Sequence, residues 1–259
     1  MIRVLQLSDP HLLADPAGLC RGRPSLACLQ HGWEQALAQL GERPDLLLIS
    51  GDLCQDESWG GYAQLRQLLD TWAVPVALLP GNHDHGALLR AALGRQAWIA
   101  PARIALDGWT LLLLSSHRPA AVAGWIEAAQ LAWLRDQLTL ADRPVLVALH
   151  HPPLPIGSPE LDAIALQQPE PLLDALLASP WVRGVLFGHV HQHWQGALER
   201  PRPGLPLPLW GCPSTLAAFP AAQPCPLGRA GWPGGRWLEL AADGGIRTRL
   251  LRWPPREPA

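Results

Sequence analysis

Five short clusters of aspartate, histidine and asparagine lie between residues 8 and 191: Ser8-Asp9-Pro10-His11, Ser50-Gly51-Asp52-Leu53, Pro80-Gly81-Asn82-His83-Asp84, Leu149-His150-His151-Pro152 and Phe187-Gly188-His189-Val190-His191. They offer nitrogen and oxygen donors and no thiolate, which favours Zn, Mn, Fe or a related divalent ion over copper(I) or an iron–sulfur cluster. Residues two apart in an extended chain point to the same side, so Asp9 with His11, and His189 with His191, could share one site.

Each cluster also has an ordinary structural interpretation. Asp9 or Asp52 alone is typical of a helix cap or turn, and Asn82 tolerates left-handed turn geometry. A single histidine, or the pair at 150 and 151, is more often simply hydrogen-bonded. Five such clusters in a chain with only 10 His are poorly explained by chance, and Asn82 is the only Asn. We therefore expect the clusters to form one metal site.

The clusters follow predicted strands. Short apolar runs predict buried strands at Ile2 to Ser8, Asp45 to Ser50, Pro75 to Pro80, Trp109 to Ser115, Pro144 to His150 and Trp181 to Phe187. Apolar residues at three- and four-residue steps predict helices at Leu26 to Leu40, Tyr62 to Trp72, Ala128 to Leu140 and Pro171 to Leu177, the first with Ser25 as its N-cap and Gly41 past its end. In α/β sheets ligands bind beyond the carboxyl ends of strands, so one rim could hold all five clusters.

The chain length and the alternation of apolar runs with amphipathic segments predict one α/β domain. The 259 residues, 28.1 kDa, fit a single domain over 1–259, with a metal-ligand core over 9–191. Residues 199–253 are expected to complete it as loops and a hairpin, with loops at Arg200 to Gly204 and Pro220 to Gly235. The hairpin would join Trp237–Leu240 to Ile246–Leu250 around Asp243-Gly244-Gly245.

Composition excludes several classes of partner. A formal net charge of −2 gives no overall field for binding a nucleic-acid polymer. The N-terminus lacks a signal-peptide apolar region, and no apolar run could cross a bilayer. The 5 Cys contain no C-x-x-C pair, so reduced thiols are expected. We expect a cytoplasmic protein.

The order Asp-x-His, Gly-Asp, Gly-Asn-His-Asp, His, Gly-His-x-His resembles the calcineurin-like metallophosphoesterase superfamily. Four further stretches are similar to the bacterial class III cyclic-nucleotide phosphodiesterases: Gly51-Asp52-Leu53-Cys54-Gln55-Asp56, His150-His151-Pro152-Pro153-Leu154-Pro155, Gly211-Cys212-Pro213-Ser214-Thr215 and Trp237-Leu238-Glu239-Leu240. One departure is that Leu166-Gln167-Gln168-Pro169 stands where that branch has an Asn after Leu161-Asp162.

The resemblance implies a two-sheet β-sandwich flanked by helices, and two divalent ions of Fe, Mn or Zn. It assigns the first ion to Asp9, His11, Asp52 and His191. The second ion is assigned to Asp52, Asn82, His150 and His189, with Asp52 bridging. His151 would make orienting hydrogen bonds, and His83 would be the acid that protonates the leaving oxygen. The residues facing the substrate would be His11, Asp52, Asn82, His83 and His191.

The implied activity is hydrolysis of 3′,5′-cyclic nucleotides, cyclic AMP to 5′-AMP, by a metal-bridging hydroxide. Two divalent ions with Asp9 and Asp52 leave a charge of about +2, which suits a phosphodiester monoanion. Two alternatives stay open: a broader phosphodiesterase for glycerophosphodiesters or 2′,3′-cyclic nucleotides, and a non-catalytic sensor. Also left open are dimerisation and the roles of several residues near the motifs: Cys54, Asp56, His85, His193 and Trp210, the Trp being a candidate for stacking on a base.

Overall fold

The computed structural model describes residues 1–201 and 205–256. Its strands are β1 (Ile2–Leu7), β2 (Leu19–Cys20), β3 (Arg23–Pro24), β4 (Leu46–Ile49), β5 (Val76–Leu78), β6 (Ala97–Ile99), β7 (Ala102–Leu106), β8 (Trp109–Leu113), β9 (Val145–Ala148), β10 (Val182–Phe187), β11 (Trp194–Leu198), β12 (Leu207–Gly211), β13 (Gly234–Leu240) and β14 (Ile246–Arg252). Its helices are α1 (Ser25–Leu40), α2 (Trp59–Trp72), α3 (Gly86–Leu93), α4 (Ala128–Thr139), α5 (Pro159–Asp162) and α6 (Glu170–Ala178). Part of the loop predicted at Arg200 to Gly204, namely 202–204, lies outside the described residues, as does the predicted domain's end at 257–259.

Two six-stranded sheets make up the body of the protein. The first has the order β14-β13-β1-β4-β5-β6 and the second β11-β12-β10-β9-β8-β7. In the first, β1, β4, β5 and β6 run parallel, and in the second β12, β10, β9 and β8 do so. Antiparallel strands complete both sheets. The parallel strands therefore bring their carboxyl ends to a common side.

Three apolar layers hold the two sheets and the helices together. The central layer packs one sheet on the other, with Val4 and Leu48 of the first sheet and Leu186 of the second all fully buried. The outer layers join the first sheet to α1 and α2, and the second sheet to α4 and α6. Strands covered on both faces must be apolar throughout, which is why β4 reads Leu-Leu-Leu-Ile. The α/β sandwich with helices on its outer faces is confirmed.

The predicted strands and helices are all present, and the C-terminal hairpin pairs Leu240 with Ile246. Three details differ. The N-cap of α1 is Pro24 and makes no side-chain cap bond, so the prediction of Ser25 as N-cap is wrong; the helix begins at Ser25 itself. β13 begins at Gly234, so the loop predicted through Gly235 ends earlier. Several short strands, such as β12, were not predicted, because a Pro in a brief apolar run weakens the strand signal.

Among the described residues, no helix is both long and apolar enough to cross a membrane. Cys20, Cys54, Cys212 and Cys225 are free thiols, and the first three of these are buried, as expected for small hydrophobic side chains.

Candidate metal centre

Two loops at the carboxyl ends of β1 and β4 run side by side and position the first three donors. The backbone N–H of Asp9 donates to Gly51 O at 3.1 Å, and that of His11 donates to Asp52 O at 2.9 Å. Because β1 and β4 are parallel neighbours, these loops leave the sheet together. Asp9, His11 and Asp52 are thereby held against one another.

Donors from the second sheet reach the same place through cross-sheet hydrogen bonds. His150 follows β9, and its Nδ1 lies 2.8 Å from Ser50 O at the end of β4. Gln6 of β1 donates to Ser50 Oγ at 3.0 Å and to Phe187 O at 3.2 Å. These contacts fix the ends of β9 and β10 against the end of β4.

The backbone is strained where the donors lie. Positive φ angles occur at Asp9 (52°), His11 (48°), Asp52 (50°), His189 (66°) and His191 (52°). Such angles are uncommon in non-glycine residues and cost of the order of 1–3 kcal/mol each. Five of the predicted ligands share this conformation, which is frequent at functional sites.

Two glycines let the backbone approach the donors. A Cβ at Gly51, where φ is 105°, would lie 2.1 Å from His150 Nδ1. A Cβ at Gly81 would lie 2.1 Å from Asp52 Oδ1. Any side chain at either position would displace a donor, so the glycines at these two motif positions are required by space.

One group of donor atoms, which we call the first donor cluster, consists of Asp9, His11, Asp52 and His191. The Nε2 atoms of His11 and His191 are 3.0 Å apart. His191 Nε2 lies 3.4 Å from Asp9 Oδ1, and His11 Nε2 lies 3.7 Å from Asp52 Oδ2. All four side chains are buried.

A second donor cluster consists of Asp52, Asn82, His150 and His189. His189 Nδ1 lies 3.0 Å from Asn82 Oδ1 and 3.3 Å from His150 Nε2. His150 Nε2 is 3.4 Å from Asp52 Oδ1. Asp52 therefore directs Oδ2 to the first cluster and Oδ1 to the second, as a carboxylate shared between two ions would.

Hydrogen bonds on the outer ring nitrogens leave the inner nitrogens without protons. His11 Nδ1 lies 2.7 Å from Gln55 Oε1, and His191 Nδ1 lies 2.9 Å from Ala217 O. Both partners are acceptors, so Nδ1 carries the proton in each ring and the two Nε2 lone pairs face each other. Lone pairs this close to two carboxylates repel unless a cation lies between them, so the residues fit a divalent ion.

The pKa shifts favour the same protonation states. Burial, with His191 nearby, lowers the pKa of His11 to about 4, and burial with His150 nearby lowers that of His189 to about 3. Burial opposes ionisation of Asp9 and Asp52, but the adjacent histidines outweigh it and lower both carboxyl pKa values. At neutral pH His11 and His189 are therefore neutral imidazoles, and Asp9 and Asp52 are ionised carboxylates, the forms that bind metals.

His83 lies at the half-buried side of the site and is oriented by Gln55. Its backbone N–H donates to Asp52 Oδ1 at 3.0 Å, and its Nδ1 lies 3.2 Å from Gln55 Nε2. Because that amide nitrogen is a donor, Nδ1 accepts and the neutral ring carries its proton on Nε2. Gln55 thus orients both His83 and His11.

The other predicted residues near the motifs have structural contacts. His151 has Ser116 Oγ 2.8 Å from Nδ1 and Val122 O 3.0 Å from Nε2, so both ring nitrogens are engaged. His85 caps α3 by accepting from Leu88 N. Asp56 accepts from Ala14 N and from the Cys54 thiol, which makes it a turn residue.

Trp210 and His193 lie in the body of the sandwich. Trp210 is packed in the apolar layer between the sheets and is 8% exposed, which leaves little of its ring for a base. His193 is buried and contacts Arg236, whose Nη2 lies 3.2 Å from His193 Nδ1.

Sequence reasoning missed three groups that shape the site. Gln55 belongs to the motif Gly51-Asp52-Leu53-Cys54-Gln55-Asp56, but no role was predicted for it. The Asp84 carboxylate accepts from the N–H groups of Gly81, Leu53 and Cys54 and so ties two donor loops together. Phe219 stacks on His191 with 4.1 Å between ring centroids. The Gly-Asn-His-Asp motif offered a signal for Asp84, whereas nothing near Phe219 in the sequence points to the site.

Comparisons with known proteins agree with this architecture. The family model described as Calcineurin-like phosphoesterase matches residues 2–193. A relative from Synechococcus sp. (strain WH7803), named a probable cyclic nucleotide phosphodiesterase, is 49% identical over 269 residues, covering 100% of this chain and 99% of the relative. The 3′,5′-cyclic adenosine monophosphate phosphodiesterase CpdA of Pseudomonas aeruginosa is 36% identical over 254 residues, covering 97% and 90%.

A solved structure shows the same fold. The crystal structure of a dimetal phosphatase from Danio rerio matches with a TM-score of 0.65 at 16% identity, covering 98% of this chain and 97% of that one. At that identity the likeness concerns the fold alone. The match to the family model over most of the chain, together with relatives aligned along almost its whole length, shows that the chain belongs to the calcineurin-like phosphoesterase family.

Proposed function

We propose that this protein hydrolyses 3′,5′-cyclic nucleotides, with cyclic AMP as its principal substrate and 5′-AMP as the product. The observation that carries the proposal is the pair of donor clusters on the two oxygens of Asp52. The names of the relatives support the choice of substrate, since they include cyclic nucleotide phosphodiesterases at up to 49% identity.

In this proposal Asp9, His11, Asp52 and His191 hold one divalent ion, and Asp52, Asn82, His150 and His189 hold the other. Fe, Mn or Zn would suit the nitrogen and oxygen donors. When bound, two such ions would supply positive charge for the phosphodiester and would acidify a water so that it attacks at neutral pH. Location in the cytoplasm and a small-molecule phosphodiester as the partner stay predictions, and dimerisation stays open.

The substrate would approach from the side of Asn82 and His83, the two half-buried residues of the site. His11, Asp52, Asn82 and His191 would form the floor beneath its phosphate. His83 would stand beside the leaving oxygen, where Nε2–H of the neutral ring would donate a hydrogen bond to it and the imidazolium form would supply the proton that the alkoxide needs, returning to the neutral ring. Gln55 would keep the proton of the neutral ring on Nε2 by donating to Nδ1.

The deciding experiment is a kinetic comparison on enzyme of defined metal content. Cyclic AMP, cyclic GMP, 2′,3′-cyclic AMP and a glycerophosphodiester are tested in parallel, and we expect the highest kcat/KM for cyclic AMP. A higher value for the glycerophosphodiester or for 2′,3′-cyclic AMP would establish the broader phosphodiesterase. Absence of turnover with Mn and with Fe, under conditions where two ions are bound, would establish a sensor.

A further inference from the structure

A cavity of about 440 Å³ opens where the free edges of the two sheets meet. It lies by β14, the edge strand of the first sheet, and β11, the edge strand of the second. Arg229, Arg236, Arg249, Arg252 and His193 line it, and we call it the arginine cavity. It contains no member of either donor cluster.

The arginine cavity gathers positive charge that no carboxylate offsets, although Arg252 contacts the Cys225 thiol. None of its lining residues is an Asp or Glu. Within 1–201 and 205–256, none of its four arginines forms an ion pair with a carboxylate, whereas Arg3, Arg143 and Arg247 elsewhere pair with neighbouring acids. Four guanidinium groups around one cavity attract an anion.

Two of these arginines are buried with a donor unused. Arg236 is 1% exposed and Arg252 2%, and the Nε–H of each lacks a hydrogen-bond partner among the described residues. The remaining contacts of Arg236 go to neutral acceptors: Gly211 O at 3.0 Å, His193 Nδ1 at 3.2 Å, and Thr248 Oγ1 and Trp194 O at 3.5 Å each. Burial lowers the pKa of Arg236 to about 10, which leaves it charged at neutral pH. Buried charges are ordinarily paired, and two beside one cavity point to a missing counter-ion.

We propose that the arginine cavity is a second ligand site, which binds a small anion carrying phosphate groups. Guanidinium groups match phosphate oxygens in charge and in fork geometry, and several converging groups suit a multiply charged anion better than a single carboxylate. The volume is in the range of small-molecule sites, so an organic group can accompany the phosphate. This site does not depend on the proposed phosphodiesterase activity.

The test measures binding of inorganic phosphate to the metal-loaded protein by equilibrium dialysis, with competitive inhibition of turnover measured in parallel. Phosphate that binds at the donor clusters is detected as competitive inhibition of turnover. Phosphate that binds in the arginine cavity is detected in the dialysis as an additional bound equivalent per protein. The double variant Arg229→Gln/Arg249→Gln, which removes two exposed arginines, should lower the affinity for the additional phosphate at least about tenfold. It should leave the inhibition constant of phosphate unchanged. Arg236→Met probes the buried charge, and the exposed double variant keeps the test valid if Arg236→Met does not fold.

Arg247→Gln is the control for the change at Arg249, since it removes one positive charge from the same strand outside the cavity. We expect it to bind phosphate as the parent protein does. A crystal soaked in tungstate should show an anomalous peak within the arginine cavity. The proposal is wrong if the double variant keeps the additional equivalent, if Arg247→Gln loses as much, or if tungstate is found only at the donor clusters. Stronger binding of citrate than of phosphate would overturn the assignment to phosphate.

Discussion

The two donor clusters share Asp52 but differ in charge and exposure. The first has two carboxylates and two imidazoles, and all four side chains are buried. The second has only the shared carboxylate, together with two imidazoles and the neutral amide of Asn82, which is half-buried. His189 also leaves its Nε2 without a partner among the described residues, whereas both His11 and His191 are anchored at Nδ1.

One shared side chain thus belongs to two clusters of unlike charge and exposure. Coulombic attraction grows with each carboxylate and with exclusion of water, so the first cluster should hold its cation more tightly. The second cluster, beside His83 and closer to solvent, should exchange its cation more readily.

Asp52→Asn should have the largest effect. The amide keeps the size of the carboxylate but removes the charge shared by the two clusters, so we expect loss of both ions and of turnover to background. Metal analysis and the rate with cyclic AMP measure this. Asp56→Asn, which removes a nearby carboxylate with turn contacts, is the control. Two ions retained at full affinity in Asp52→Asn would contradict the shared role.

His83→Ala should reduce kcat about 10²–10⁴-fold, the usual contribution of a positioned proton donor. Metal content should stay near that of the parent protein, because His83 belongs to neither cluster. His85→Ala, which removes only the cap of α3, is the control and should keep turnover. A loss of bound metal in proportion to the loss of rate would remove His83 from the acid role.

Asn82→Ala and Asp9→Asn test the two clusters separately. We expect Asn82→Ala to weaken only one of the two ions, by at least about tenfold, because it removes one oxygen from the second cluster. Asp9→Asn should weaken the more tightly held ion instead. Titration with a chelator of known affinity distinguishes the two. The comparison fails if both variants lose the same ion.

Gln55→Leu should lower kcat roughly tenfold, in line with the effect of groups that orient metal ligands and catalytic rings. Leu cannot accept from His11 or donate to His83, so both rings lose their preferred proton position. Gln55→Glu keeps the acceptor for His11. Its carboxylate favours the protonated His83 ring, so the alkaline limb of the pH–rate profile should move to higher pH. An unchanged profile in Gln55→Glu would leave Gln55 with a packing role only.

Acidification should empty the second donor cluster first, the smallest of these effects. Although burial opposes its charge, Asp52 and Asp9 raise the pKa of His150 above 6.5. As the pH falls, the His150 ring is protonated early, and the proton competes with the metal ion for that ring. His11, with a pKa of about 4, is protonated only at lower pH. Equilibrium dialysis from pH 8 to pH 5 should therefore show stepwise loss. Simultaneous loss of both ions would remove this distinction.

Much of the fold could be predicted because local pattern and burial agree. The run Leu46–Ile49 is apolar throughout since it is covered on both faces, and α1 repeats apolar residues along one side. β12 and β11 escaped prediction because their stability comes from pairing with each other, Trp194 opposite Gly211, rather than from local propensity.

The donor types and their places at strand ends can be predicted from the amino-acid sequence, because a buried apolar run followed by Asp, His or Asn is a local pattern. Which of these atoms meet depends on the packing of the two sheets. His150 reaches Ser50 across 100 residues, and Arg236 reaches His193 across 43. Such contacts depend on how two sheets pack and in which register, and local sequence carries little of that information. The partners of each imidazole, and the arginine cavity, therefore emerge only from the packed sandwich.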